Sequence, residues 1–281
     1  MSSKTDDLKS GAEAAKKTAD TSREKASKPA VSPGKFAIDH EKLIETVQTV
    51  QFAWFIGHLF TLLGTFYFIL TYFGIFSSWY KIWYNLAVFG IIESFGILIY
   101  QHFRKVGTKN LINDDNVHYY GLGVMLLILR PYIIFPILPF QLYSLFHVLS
   151  YTKGYLLPIF NQQNTSIEKM ITNFVNSNNQ KSIQLASLLE LVCLGFLGLR
   201  VIFFRKRSLT PFVIYLIFIK LRYEKSPVTR SYFKFISTKL DSTITGLNNP
   251  TATNIWSQVK SVFARVDNFV LVNDYKKNKV N

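Results

Sequence analysis

Glu93, Arg130 and Glu190 stand inside long apolar stretches of the sequence, with His58 and His147 in similar surroundings. A charge in hydrocarbon is costly, about 2.5–3.5 kcal/mol for an unpaired group at the centre of a spanning helix. Such residues therefore do chemistry or hold one another. Carboxylates and imidazoles in relay would form a proton or substrate path, whereas an acid and a base in contact would lock helices together. The groups are few, and no repeated halves of the transporter kind are visible. The pattern favours the structural role, with Arg130 paired to Glu93 or Glu190.

Soluble-type chemistry has less to draw on. There is no Gly-rich phosphate loop, no His-Glu-x-x-His pair and no Gly-x-Ser-x-Gly elbow. Asp114-Asp115 with His118 would suit a metal or a phosphate transfer, but no fourth ligand is visible, and a solvated polar loop accounts for them. With one thiol, Cys193, neither an intrachain disulfide nor a cysteine-based zinc site can form. Set in the run Leu191-Val192-Cys193-Leu194, it reads as a small apolar residue. No catalytic residue, cofactor or metal is expected.

The elements that carry these groups are membrane helices. Of 281 residues, 49% are hydrophobic and only 17% charged, against about 25% charge in a soluble domain. No Asp, Glu, Lys or Arg occurs between Glu45 and Lys81, an interval longer than the roughly 20 residues that a bilayer-spanning helix needs. An ordinary cytosolic enzyme is excluded. The reading is an all-α, polytopic integral membrane protein of about four spans.

Residues 1–38 form a polar, mixed-charge tail expected to be disordered and cytosolic. Asp39 can cap a helix that places Leu43, Ile44, Val47 and Val50 at helical spacing and runs on into the membrane. Within a membrane domain over 39–220, spans are expected at 51–76, 82–100, 121–150 and 183–204, the third broken by Pro131, Pro136 and Pro139. The run 209–219 is short for the roughly 30 Å core and reads as interfacial. Insertion is expected to begin at the first apolar segment, because the first 42 residues lack a basic-then-apolar leader.

Residues 221–281 make a basic cytosolic region with two amphipathic helices, 228–244 and 250–272. Their apolar faces, candidates for membrane binding, gather Tyr232, Phe235, Ile236 and Leu240 on the first. On the second they gather Ile255, Trp256, Val259, Val262, Phe263, Val266 and Phe269. Residues 200–281 hold 15 basic and 4 acidic groups, most of the chain's net charge of +15. That excess points to an anionic or curved lipid surface or an acidic protein, not to nucleic acid. Four crossings with Arg104-Lys105 and Arg205-Lys206-Arg207 on the cytosolic side put both termini in the cytosol. They also make 151–182 lumenal, where Asn164-Thr165-Ser166 is a glycosylation acceptor.

The ensemble resembles the transmembrane protein 33 family. The matching features are the aromatic-rich hairpin at 51–100, the broken segment with Leu129-Arg130-Pro131-Tyr132, the span near 183–204 and the basic amphipathic C-terminus at 227–272. The resemblance implies a non-enzymatic protein of the endoplasmic reticulum and nuclear envelope. Such a protein shapes membrane alongside reticulon-type proteins or contributes to nuclear pore complex distribution or assembly with nucleoporins. The basic C-terminus would also suit an importin-type receptor. The competing class is a lipid-binding or lipid-modifying enzyme that uses the intramembrane polar residues.

Overall fold

The computed structural model of the chain describes residues 36–75, 77–108, 111–273 and 275. Most of the expected polar tail lies outside these residues. Helix α1 (His40–Val47) starts where the Asp39 carboxylate accepts the Lys42 N–H. It does not run on into the membrane. Gln48 closes it, Thr49 is extended (φ −86°, ψ 147°), and the Thr49 hydroxyl caps a separate helix, α2 (Val50–Leu70), by accepting the Phe52 N–H at 3.0 Å. An extended residue between two helices prevents them from sharing an axis.

Helix α2 turns back through Thr71–Ile75, where Gly74 has φ 106°, and through the single turn Ser77–Trp79 into α3 (Tyr80–Val106). The two pack backbone to backbone. A Cβ on Gly90 would sit 2.3 Å from the Gly57 carbonyl, and one on Gly64 would sit 2.4 Å from the Ala87 nitrogen. Lipid tails are as apolar as leucine, so this hairpin gains from close van der Waals approach between small residues.

Helix α4 (Asp115–Leu129) runs antiparallel to α3, with the Tyr119 ring 5.4 Å from that of Phe95. It ends at Arg130, which adopts a left-handed conformation (φ 43°) before Pro131. The break carries Tyr132 onto Tyr80 and Tyr84 at the far end of α3. The chain then returns as α5 (Leu138–Tyr151) along α2, with Ser144 at His58 and Tyr151 stacked on Phe55. One further wide turn, Thr152–Leu156, brings it to Ile159, whose carbonyl accepts the Asp39 N–H at 2.8 Å. The proline-rich segment expected to cross once thus goes out and comes back.

Helix α6 (Ser166–Ile202) is capped by Thr165 and sends its apolar half into the core through Cys193 and Leu197. Helix α7 (Leu209–Lys225) returns along it with Tyr215, Phe218 and Ile219 buried. The run 209–219 thus turns one face, Tyr215, Phe218 and Ile219, into the bundle core and leaves Leu209, Val213, Leu216 and Ile217 exposed on the other. Among the described residues, Val50–Gly74, Tyr80–Val106 and Ser166–Ile202 are each long and apolar enough to cross a membrane. The α4–α5 pair and α7 pack against them.

These two extra returns change which loops share a side. Residues 39, 102–108, 111–115, 159–166 and 225–273 gather at one end of the bundle, while Ser77–Trp79, the 130–137 break and the 203–208 turn lie at the other. Asn164 accordingly sits at the same end as Asp39 and Leu271–Asn273, opposite Arg205-Lys206-Arg207. The three belong to one side of the bundle, whereas the expectation put Asn164 on the side opposite Asp39. In a Cys193→Ser background, Glu41→Cys and Asn164→Cys should react with an impermeant maleimide from the same side of sealed microsomes, and Lys206→Cys only from the other. Asn164→Cys reacting together with Lys206→Cys would overturn this arrangement.

Candidate functional site

Glu190, on α6, is 1% exposed. Its Oε1 accepts the Tyr119 hydroxyl at 2.7 Å, and that hydroxyl lies 2.9 Å from the Tyr143 hydroxyl. Its Oε2 accepts Arg222 Nε at 3.3 Å. The Arg222 guanidinium lies over the Tyr119 ring and also donates to Asp115 Oδ2 at 3.2 Å. Lys225 completes the set at 3.0 Å from Asp115 Oδ1 and donates to the Asn113 carbonyl. One carboxylate thereby ties α4, α5, α6 and α7 together, and both of its oxygens are engaged.

The structure does not bring Arg130 to Glu190 or Glu93. Arg130 is exposed at the proline break, and its Nε donates to the Leu127 carbonyl at 3.2 Å. The left-handed turn aims it away from the core, and Arg222 takes the position instead. Arg222 was concealed in the sequence within the basic C-terminal third, although its spacing after Tyr215 and Ile219 puts it on the buried face of one helix. Glu93 Oε2 has no hydrogen-bond partner among the described residues.

Asp114 caps α4 by accepting the Asn116 N–H and sits 3.1 Å from His102 Nδ1. His118 Nε2 meets the Ile112 carbonyl at 2.7 Å. Among the described residues no group of His, Cys, Asp and Glu could hold a metal. Removing one partner of a buried pair leaves an uncompensated charge, which costs about 3–5 kcal/mol. Glu190→Gln and Arg222→Leu should each destabilise the folded chain by roughly that much in detergent unfolding. The double variant Glu190→Leu with Arg222→Met should recover most of the loss, and Arg130→Leu should have little effect.

The C-terminus is a helical hairpin fastened at both ends. Ser226 and Pro227 start α8 (Pro227–Gly246), and Asn249 caps α9 (Pro250–Asn268) by accepting the Thr251 and Ala252 N–H groups. Both expected helices are present, the first extending to Gly246 and the second ending at Asn268. Tyr232 packs against the bundle core, while Phe235, Ile236 and Leu240 are exposed. On α9, Ile255, Val259, Val262, Phe263 and Val266 are exposed, as is Phe269 just beyond it. Trp256 turns inward: its Nε1 donates to Asp241 Oδ1 at 2.6 Å, the oxygen that Lys260 also meets at 2.9 Å. Tyr232 thus binds the hairpin to the bundle and Trp256 joins its two helices, and the remaining residues form its outer face.

The other fastening is Glu224, at the end of α7. Its carboxylate accepts the N–H groups of Leu271, Val272 and Asn273 at 2.9, 2.7 and 3.0 Å, and Lys220 lies 3.1 Å away. Arg230 stacks on Tyr275, whose hydroxyl reaches Tyr223 and Asp267. Burial alone would raise the Glu224 pKa, but the three amides and Lys220 outweigh it and hold the group below the ordinary 4.5. A depressed folded value means that the stabilisation is complete above about 4.5 and is lost as pH falls through the lower value. Amide exchange at Leu271–Asn273 should therefore accelerate on acidification below the ordinary carboxylate value of 4.5, relative to the intrinsic rate. Glu224→Gln should show fast exchange at neutral pH as well.

Together these features define a polytopic, all-helical membrane protein with an ion-paired core and an amphipathic hairpin clasped to one end. The chain belongs to the Transmembrane protein 33/Nucleoporin POM33 family, whose profile matches residues 38–268. It is 29% identical over 247 residues to Tetra-spanning protein 1 of Schizosaccharomyces pombe, covering 80% of this chain and 87% of that one. It is 27% identical to Nucleoporin POM33 of Chaetomium thermophilum, with 79% and 87% covered. The Pore membrane protein of 33 kDa of Saccharomyces cerevisiae is 30% identical, with 73% and 78% covered. No solved structure matches the chain.

Proposed function

We propose that this chain is a non-catalytic scaffold of the endoplasmic reticulum and nuclear pore membrane. In this reading it shapes or stabilises curved bilayer and contributes to the distribution or assembly of nuclear pore complexes. The observation that carries the reading is the outer face of α9: Ile255, Val259, Val262, Phe263 and Val266 are exposed on a helix held by polar clasps at its middle and just past its C-terminal end. Phe235, Ile236 and Leu240 extend that face on α8, and Ile44 and Val47 on α1 stand just ahead of the first span. All lie at one end of the bundle, where Lys234, Lys239 and Arg265 would face anionic headgroups. Apolar groups sunk into one leaflet expand it relative to the other, which favours positive curvature.

With that end in the cytosol, both termini are cytosolic and most of the basic excess follows the usual bias, while Arg205-Lys206-Arg207 stands on the other side against it. Three relatives are named as nucleoporin, pore membrane, or pore and endoplasmic reticulum proteins, which supports the location and nucleoporins as neighbours. Reticulon-type proteins and an importin-type receptor remain further candidate partners, through shared curvature and through the basic segment. A lipid-modifying enzyme is disfavoured because both oxygens of Glu190 are already engaged by Tyr119 and Arg222.

The full-length chain with Val259→Asp and Phe263→Asp tests this. Each large side chain withdrawn from water contributes about 1.5–3 kcal/mol when fully buried, so two acidic replacements should remove the surface attachment while the spans stay inserted. The expected result is normal membrane extraction with loss of enrichment at pores and high-curvature tubules by immunoelectron microscopy. Unchanged enrichment would overturn the reading.

A further inference from the structure

Three long intervals of the sequence, 46–92, 116–167 and 191–223, contain no Asp or Glu. Each makes a turn at the end of the bundle opposite the C-terminal hairpin: Ser77–Trp79 in the first, the 130–137 break in the second and the 203–208 turn in the third. That end therefore carries no carboxylate, while Lys81, Arg130, Arg200, Arg205, Lys206 and Arg207 stand on or beside its turns. Basic groups at the other end are answered within the chain, Lys42 by Asp39, Arg222 and Lys225 by Asp115, and Lys260 by Asp241. Here Lys81, Arg130, Arg205, Lys206 and Arg207 are exposed, and the three turns offer them no acid. The anions that would balance them must come from another molecule.

Aromatic and polar contacts hold the turns together. Lys81 Nζ lies 6.0 Å from the centre of the Tyr132 ring, two residues past Arg130. Phe135 of the same break meets Phe196 of α6 at 4.6 Å, and the Arg200 guanidinium lies over that Phe196 ring. Arg200 Nε donates to the Ser208 hydroxyl at 3.2 Å, which ties the third turn to the same helix end. Arg130, Tyr132, Phe204 and Arg207, all in these turns, have left-handed backbone, a costly conformation that gathers where a ligand is held. Exposed apolar residues accompany the cations. Ile82 is 57% exposed beside Lys81, Ile128 is 71% exposed two places before Arg130, and Phe203 and Phe204 are 71% and 93% exposed before Arg205. An acidic peptide in water would satisfy only the cations. A phospholipid satisfies both, with acyl chains for the apolar side chains and, where the helices end, a phosphate for Arg and Lys.

We propose that this end of the bundle binds anionic phospholipid, with phosphates on Arg130, Arg205, Lys206 and Arg207, Lys81 beside them, and acyl chains along Ile128, Phe203 and Phe204. The lipid supplies the anions that the three turns lack, which accounts for Arg205-Lys206-Arg207 standing against the usual charge bias. The site is separate from the C-terminal hairpin and independent of the function assigned to it.

The test uses the full-length chain with Cys193→Ser and Thr210→Cys, the latter exposed just past the third turn and carrying a bimane fluorophore, in phosphatidylcholine vesicles. A small, equal fraction of either phosphatidylglycerol or phosphatidylcholine bears an acyl-chain nitroxide, which quenches only at close range and so reports the lipid resident at this end. Both leaflets have one composition, so orientation does not enter. Phosphatidylglycerol should quench at least about fivefold more strongly, the ratio equivalent to the roughly 1 kcal/mol that one basic residue contributes at an anionic surface. Arg130→Gln, Arg205→Gln, Lys206→Gln and Arg207→Gln together should bring the two lipids to equality, with helical content by circular dichroism unchanged. Arg130→Lys with Arg205→Lys and Arg207→Lys should keep most of the preference, as should Lys169→Gln with Lys181→Gln on the polar half of α6. Equal quenching by both lipids in the chain with all six cations would overturn the proposal and leave an acidic protein as their partner. A preference that survives the four glutamine substitutions would overturn it as well.

Discussion

A carboxylate buried beyond the reach of water has to be answered by a positive group, and the placement of Glu190 decides much of the path of this chain. Arg222 lies 32 residues further along and can reach Glu190 only if α7 folds back beside α6. Once it does, Asp115 and Lys225 close on each other at the end of the bundle and fix the start of α4. Glu224, two residues after Arg222, is then carried to the surface where it receives Leu271, Val272 and Asn273. The position of the C-terminal hairpin follows from an ion pair inside the bundle. A well-packed apolar pair of the same volume would hold α6 to α7 at least as strongly, but it would not set their rotation and depth as narrowly.

The α2–α3 hairpin is held differently. Gly57, Gly64 and Gly90 let the two backbones touch, so attraction comes from many short dispersion contacts, each about 0.1–0.2 kcal/mol, and from none that is directional. This part of the bundle needs no buried charge. It can therefore present a face such as Ile82–Tyr100 outward while its opposite face supports the core through Tyr84 and Ile91. The two devices divide the labour: small residues set how close neighbouring helices come, and the Glu190 network sets which distant helices are neighbours.

That division also explains what the sequence disclosed. The apolar runs, the caps Asp39 and Asn249-Pro250 and the three-to-four spacing on α9 are local features, and helix type and the two C-terminal helices were legible from them. The prolines after Arg130 announced a break but not the direction beyond it. Return along α2 depends on His58 meeting Ser144 and Phe55 meeting Tyr151, contacts between residues nearly a hundred positions apart. For the same reason the side on which Asn164 lies could not be read from a count of apolar runs. Arg222 was hidden because charge was summed over a region, whereas its role depends on which face of α7 it occupies.

The clasps on α9 show why its outer face is a surface and not an unfinished core. A helix meant for the interior turns its apolar stripe toward protein, and here the inward side carries the polar contacts: Trp256 and Lys260 to Asp241, and the following amides to Glu224. Hydrogen bonds fix position with little loss of exposed apolar area, so Val259, Val262 and Phe263 are held out at a set distance from the spans. An unclasped amphipathic helix would have to be ordered anew each time it met a bilayer, at a conformational cost of about 1–2 kcal/mol for each residue fixed. With α9 fixed by the fold at its middle and just past its C-terminal end, much of that cost would already be met before the membrane contact proposed above, and the buried area would go largely to attachment.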